Sequence, residues 1–459
     1  MLRAALLILS GNAAASLLLL ARNLIVARMI PVADYGIAAT FAVAMAVVEM
    51  ASALGLQQQI VQSKQGDDPH FQAALQGFQV LRGLVSGAVL FALAGPMARF
   101  MDIPQVIWAY QLLALVPVLN ALVHFDIHRL NRQMVFWPML LTGAVPALAS
   151  VLALWPLALW FSDWRVMLYA IVVQAVLGAV VSHLVARRPY RLAFDAAIMA
   201  GSLRFGWPLL ANAVLLFLVF NAEKLIVGRA LGMETLAMFA MGLTLTLTPT
   251  LVLAKSVTNF FLPPLSAAKT DAHFQNLAVV IFQIHILFAG IFTLAVVVLG
   301  PWLITGLLGT KYEPLVSILV WLAILQALRI FKGGPSTVAL ARGQTENAVV
   351  ANVIRIVLLP IAWWAVSNTD DLMPLIFLGI LGEFLGATVA FGLVRWRLGI
   401  GFRRFGPMLG CVLASMACAG LAQFYPELIW PLWGALTTVL LAIWLSKDLW
   451  RFALKTRQR

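Results

Sequence analysis

Charged side chains inside apolar segments are the places where this chain could do chemistry, and the first stand in RNLIVARMIP, residues 22–31. A near copy, EKLIVGRALG, follows at residues 223–232. A cation facing lipid costs a few kcal/mol, so such a residue is expected to face a cavity or a partner. Arg22 lies about eight residues before the end of its apolar segment, roughly 12 Å deep at 1.5 Å per residue. It aligns with Glu223, and Asn23 aligns with Lys224. Arg22 therefore reads either as a cavity cation or as one half of a latch with Glu223. Arg28 and its counterpart Arg229 are nearer their segment ends, where a long side chain can snorkel to the headgroups.

Arg355, in VIRIVLLP, is the deepest candidate, with Asn352 one turn away and Pro360 interrupting the hydrogen-bond ladder beyond. Its alternative to a cavity role is a pairing with Glu383 on the next segment. Arg82 lies within the third segment, whereas Arg329 and Lys332 sit toward an end of theirs and read as snorkelling groups. Together Arg22, Arg28, Arg82, Lys224, Arg229 and Arg355 imply a wet cavity of positive potential. Such a cavity suits a phosphate or pyrophosphate, whose geometry the guanidinium fork matches. The acids within apolar segments, Glu49, Asp126, Glu223 and Glu383, can take up a coupling proton or neutralise a neighbouring Arg. Gln57, Gln79 and Gln283 can meet sugar hydroxyls, or can bind neighbouring helices. His124 and His128 have an i,i+4 spacing but stand beside Arg129, a poor setting for a metal. No metal or other cofactor is expected. Cys411 and Cys418 lie on one late apolar segment and form no disulfide framework. The chain contains no phosphate-binding loop, HExxH or GxSxG motif, so no enzymatic activity is expected.

The elements that must position these residues are membrane spans. Of 459 residues 63% are hydrophobic and 11% charged, against roughly a quarter charged in a soluble domain. At about 20 apolar residues per span, the chain reads as all-α and polytopic, with about fourteen transmembrane helices. They fall near 5–30, 36–60, 75–99, 105–127, 137–160, 165–186, 204–231, 235–260, 276–306, 314–338, 345–367, 372–395, 406–424 and 427–446. The first continues past any signal-peptide length and reads as a permanent helix.

Charge orients the array. Lys64, Arg129, Arg132, Arg187, Arg188, Arg191, Lys269, Arg342, Arg395, Arg397, Arg403 and Arg404 lie on alternate loops. The opposite loops hold Asp34, Asp102, Asp163, Glu234, Glu313, Asp370, Asp371 and Glu427. The positive-inside rule then places both termini in the cytoplasm. The net charge of +13 is mostly this topology signal, and nucleic acid is not an expected partner. Three matches recur in order, 201 to 205 residues apart: the decapeptides above, FQAALQGFQVL with FQNLAVVIFQI, and AGPMARFM with LGPWLITG. Six spans separate the copies, so two six-helix lobes of equal orientation are expected, related by a pseudo-two-fold axis along the membrane normal. The expected division is an N-terminal lobe over 1–188, a basic linker over 189–203, a second lobe over 204–397, and two further helices with a basic tail over 398–459.

The stretch ARNLIVARMIPVADYGIAATF, then GLQQQIVQSK, and the Gly-Pro turns at 95–96 and 300–301 resemble the bacterial polysaccharide flippases. These are the Wzx-type members of the multidrug/oligosaccharidyl-lipid/polysaccharide (MOP) exporter superfamily. The resemblance covers essentially the whole chain. It implies a multi-pass protein of the bacterial inner membrane that moves an oligosaccharide linked to undecaprenyl pyrophosphate to the outer leaflet by alternating access. A polysaccharide polymerase and chain-length machinery would be its protein partners. By position, Arg22 and Arg28 are the cations it implies for the pyrophosphate. A cation-coupled multidrug exporter of the same superfamily is the nearest rival, but it would want cavity acids, and residues 1–30 contain no Asp or Glu. A membrane polysaccharide polymerase would need a large outer loop, and the loops here are short.

Overall fold

In hydrocarbon every backbone N–H and C=O needs an internal partner, so apolar stretches of this length fold as helices. The computed structural model describes the backbone of residues 2–52, 54–344, 346–425 and 427–457. Within these, side chains are described except at 2–13, 49, 51, 52, 208, 212, 453 and 455–457. Among the described residues the regular elements are all helical.

Contacts divide the chain into two compact units, Met1–Ala237 and Met238–Arg459. The first holds α1 (Leu2–Met29), α2 (Val32–Ser52), α3 (Leu56–Gln62), α4 (Pro69–Phe100), α5 (Ile107–Leu113), α6 (Leu115–Ala121) and α7 (Asp126–Arg132). It continues with α8 (Trp137–Leu152), α9 (Leu154–Trp160), α10 (Arg165–Val185) and α11 (Ala196–Ala230). The boundary falls inside α12 (Gly232–Ser266). The second unit continues through α13 (Asp271–Leu308), α14 (Leu315–Ala341), α15 (Glu346–Thr369), α16 (Met373–Leu398), α17 (Gly406–Phe424), α18 (Trp430–Leu445) and α19 (Lys447–Arg457). The contact boundary thus differs from the lobe boundary read from the repeat, because residues 204–230 pack with the first unit, α11 lying against α2 and α4. The basic linker is extended only as far as Asp195, which caps α11 by accepting from the backbone N–H groups of Ala197 and Ile198.

Eleven helices among the described residues are long and apolar enough to cross a membrane. All eleven coincide with expected spans. The three expected spans outside that number are α1, whose first side chains are not described, and two shorter apolar helices, Val32–Val48 and Trp430–Leu445. The expected second span, 36–60, runs too far. Gly55 adopts a left-handed φ of 67°, and LQQQIVQ forms the separate short helix α3 instead of prolonging α2.

Each unit has its own core. In the first, Leu54, Leu56, Ile60, Phe71, Leu75 and Phe125 bury together where α3, α4 and the segment before α7 meet. Small residues let the helices close up. A Cβ on Gly36 would stand 1.9 Å from the carbonyl oxygen of Met233, and one on Gly206 would stand 2.3 Å from that of Leu54. In the second unit α13, α14, α16 and α17 enclose Phe282, Phe331, Phe391 and Phe405. Thr270 caps α13 by accepting from the N–H of His273, and Gly399, left-handed at φ 66°, ends α16.

Candidate functional site: buried cations around Glu383

The second unit brings together charges from three successive helices. Glu383 projects from α16 with its side chain fully buried, and the small neighbours Gly382 and Gly386 keep α15 close. Arg355 reaches it from α15 and is paired to its Oε1. From α14, one turn apart, Arg329 Nε donates to the same oxygen at 2.9 Å and Lys332 Nζ lies 2.7 Å from Oε2. Lys332 also donates to Asn352 Oδ1 at 2.7 Å, and Arg329 to Gln326 Oε1 at 3.1 Å. Arg355 and Lys332 are 2% and 7% exposed, so these charges do not snorkel.

Three cations meet one carboxylate, leaving a formal excess of two positive charges. A single buried ion pair offsets its own desolvation only when geometry and hydrogen bonding are good. An arrangement of this kind is matched to an anion with several acceptor oxygens. The sequence reading of Arg329 and Lys332 as snorkelling groups is therefore corrected. Their spacing of three places both on one face of α14, and that face meets Glu383. The alternative reading of Arg355, as a partner of Glu383, is correct as geometry, but the carboxylate is shared three ways.

In the first unit, Arg22 is half-buried on α1 and donates from its NH1 nitrogen to Gln174 Oε1 on α10 at 2.6 Å. Its Nε is buried with no hydrogen-bond partner. Gln174, in the apolar run IVVQAVLG, is a contact the sequence reading missed; a lone amide in a span was the available signal. Arg82 on α4 and Lys224 on α11 are half-buried, Glu223 is buried, and Arg28 and Arg229 are exposed at the last turns of α1 and α11. The side chain of Glu49 lies outside the described residues.

Two of the proposed sugar contacts are engaged in holding helices. Gln79 Nε2 donates to the carbonyl oxygen of Ala121 at 3.1 Å, and Gln76 Nε2 to the same oxygen at 3.2 Å, satisfying the end of α6. Gln283 is fully buried; it accepts from the N–H of Leu449 at 2.9 Å and donates to the carbonyl oxygen of Arg404 at 3.3 Å. Gln57 is exposed on α3. His124 and His128 are likewise structural. His124 Nδ1 accepts from the N–H of Asp126, and the ring of His128 packs edge-on against Phe125. Asp126 starts α7, outside the spans. Burial alone would raise its carboxyl, but Arg129 at 2.5 Å and the N–H groups of Arg187 and Arg188 hold it below the ordinary carboxylate range.

The family model described as Polysaccharide biosynthesis protein matches residues 25–317, more than half of the chain. The chain belongs to that family. A curated relative of this polysaccharide biosynthesis protein is the amylovoran biosynthesis protein AmsL of Erwinia amylovora, 24% identical over 315 residues, 64% of this chain and 77% of AmsL. Two solved structures share its fold. The lipid II flippase MurJ, in an inward closed conformation, matches with a TM-score of 0.66 at 14% identity, over 98% of this chain and 100% of MurJ. An inward-facing multidrug resistance MATE family transporter of the MOP superfamily matches with a TM-score of 0.65 at 16% identity, over 84% of this chain and 94% of the transporter. At these identities the likeness is one of fold, and the fold is that of polytopic helical transporters.

Proposed function

We propose that this polysaccharide biosynthesis protein is a flippase that carries a polyprenyl-pyrophosphate-linked oligosaccharide from the cytoplasmic to the outer leaflet of a bacterial inner membrane. The observation that carries the reading is the cluster of Arg329, Lys332 and Arg355 on the single carboxylate of Glu383. A diphosphate is an anion of the kind that three clustered cations can bind, and membership of a polysaccharide biosynthesis family supplies the reason for a sugar-bearing lipid. Half-buried Arg22 and Arg82 are candidate phosphate-binding cations of the first unit in their own right. Transport would proceed by alternating access of the halves read from the sequence repeat, with both termini in the cytoplasm and undecaprenyl as the polyprenyl chain.

The MATE-like exporter shares the fold, but an organic cation would be repelled by the surplus charge around Glu383. The test is made in a polysaccharide-producing strain deleted for the gene. Lipid-linked repeat units should then accumulate on the cytoplasmic side, whereas loss of a polymerase would leave single units exported. Lys332→Met and Arg355→Met should reach the membrane yet fail to restore export. Full restoration by the double variant would contradict the role given to the cluster.

A further inference from the structure

Gln79 and Gln283 are engaged in holding helices, but the glutamine-rich stretch that contains Gln57 lines a cavity of about 550 Å3 in the first unit. Its walls carry Gln59, Gln62, Ser63 and Gln65, together with Phe71 at the start of α4 and Phe205 on α11. Among the described residues that line it, no side chain is charged. We propose that this cavity is the glycan subsite, taking an uncharged sugar residue of the lipid-linked substrate. The proposal rests on the flippase reading and names where that substrate's carbohydrate is held.

Carbohydrate recognition needs groups that both donate and accept, because each hydroxyl does both, and a side-chain amide supplies one of each. Three amides and a hydroxyl therefore match a polyhydroxylated ring, whereas a phosphate would ask for cations. The Oε1 atom of Gln59 is buried and accepts no hydrogen bond. A hydroxyl donor entering the cavity would satisfy it. The ring of Phe205 is 41% exposed and offers an apolar face of the kind on which the C–H face of a pyranose can rest.

Position supports the same occupant. The part of α11 long and apolar enough to cross a membrane runs from Leu209 to Ala230, and α3 is too short to cross, so the cavity sits at the end of the candidate spans. A sugar bound there stays at the wet interface. The walls are also held in place. The NH1 nitrogen of Arg132 donates to the carbonyl oxygens of Val61 at 2.7 Å and Ser63 at 2.6 Å, and its Nε to Asp67 Oδ2 at 3.2 Å. Gln133 donates to the other oxygen of Asp67 at 2.9 Å. The end of α3 is thus pinned to α7, which reduces the ordering that binding would otherwise require.

The test compares two probes on the full-length protein in nanodiscs: undecaprenyl pyrophosphate alone, and undecaprenyl pyrophosphate bearing a neutral oligosaccharide. The wild-type protein should bind the glycosylated lipid roughly tenfold more tightly, about what one or two neutral hydrogen bonds supply. The Gln62→Ala/Phe205→Ala variant changes two exposed side chains, and Gln59→Met keeps the volume of a half-buried one. Both should lose that advantage while binding the bare lipid as wild type does. If the advantage survives in both variants, or is absent from the wild type, the glycan subsite is wrong. Failure of the wild type to bind the bare lipid at all would instead overturn the flippase reading.

Discussion

At the scale of single residues, Glu383 decides how the second unit carries its charges. Its carboxylate answers Arg329, Lys332 and Arg355 at once, so Glu383→Gln would leave three cations facing one another in an apolar setting. Removing one partner of a buried pair costs about 3–5 kcal/mol. A large drop in the unfolding midpoint is therefore expected by thermal denaturation in detergent. Adding Arg355→Met to Glu383→Gln should recover part of it, since the neutralised site then carries one cation fewer. A second prediction concerns His128 on α7, whose imidazole burial pushes down to about 4. A histidine depressed in the folded state gives stability that is complete above the unfolded value of about 6.5 and is lost as pH falls toward 4. His128→Phe should remove roughly 2 kcal/mol of that acid sensitivity between pH 7 and pH 5, seen as a flatter midpoint over that range. Which residues were charged or polar inside spans could be read directly from the sequence. Which helix face each one occupies cannot, and so the sequence alone reads Lys332 as a snorkelling group and leaves Gln79 open between a sugar contact and a helix-binding role.

At the scale of elements, the amides of Gln76 and Gln79 replace the hydrogen bonds that the end of α6 would otherwise lack. Gln79→Leu should cost about 1–3 kcal/mol, and hydrogen exchange should report the loss as faster opening of residues 115–123. A close approach of backbones gives a sharper effect. Gly206→Leu would drive its side chain into the Leu54 carbonyl, so reduced expression and a lowered melting point are expected. The spans themselves were legible because twenty apolar residues leave few alternatives to a helix in lipid. The exception lies at Gly55, where a left-handed residue separates α2 from α3 although the apolar pattern hardly breaks. Periodicity carries no mark of a single positive φ. The contact boundary at Ala237 was equally hidden, since a repeat in sequence records where the halves began and not which helices now pack together.

At the scale of the whole molecule, an all-helical chain of a polysaccharide biosynthesis family, with a cationic cluster inside its second unit, is expected to pass an anionic lipid headgroup across the bilayer. Orientation can be checked by labelling a cysteine-free variant with a membrane-impermeant maleimide. A cysteine at Asp371 should react in intact cells, and one at Lys269 only after permeabilisation. The reverse pattern would invert the proposed topology. The most direct measurement places the purified protein in vesicles loaded in one leaflet with a labelled undecaprenyl-pyrophosphate oligosaccharide, and follows exposure of the label to an external quencher. Vesicles containing wild-type protein should expose it at least tenfold faster than empty vesicles or those with Lys332→Met/Arg355→Met. Equal rates for the wild type and the double variant, or for wild-type and empty vesicles, would contradict the account.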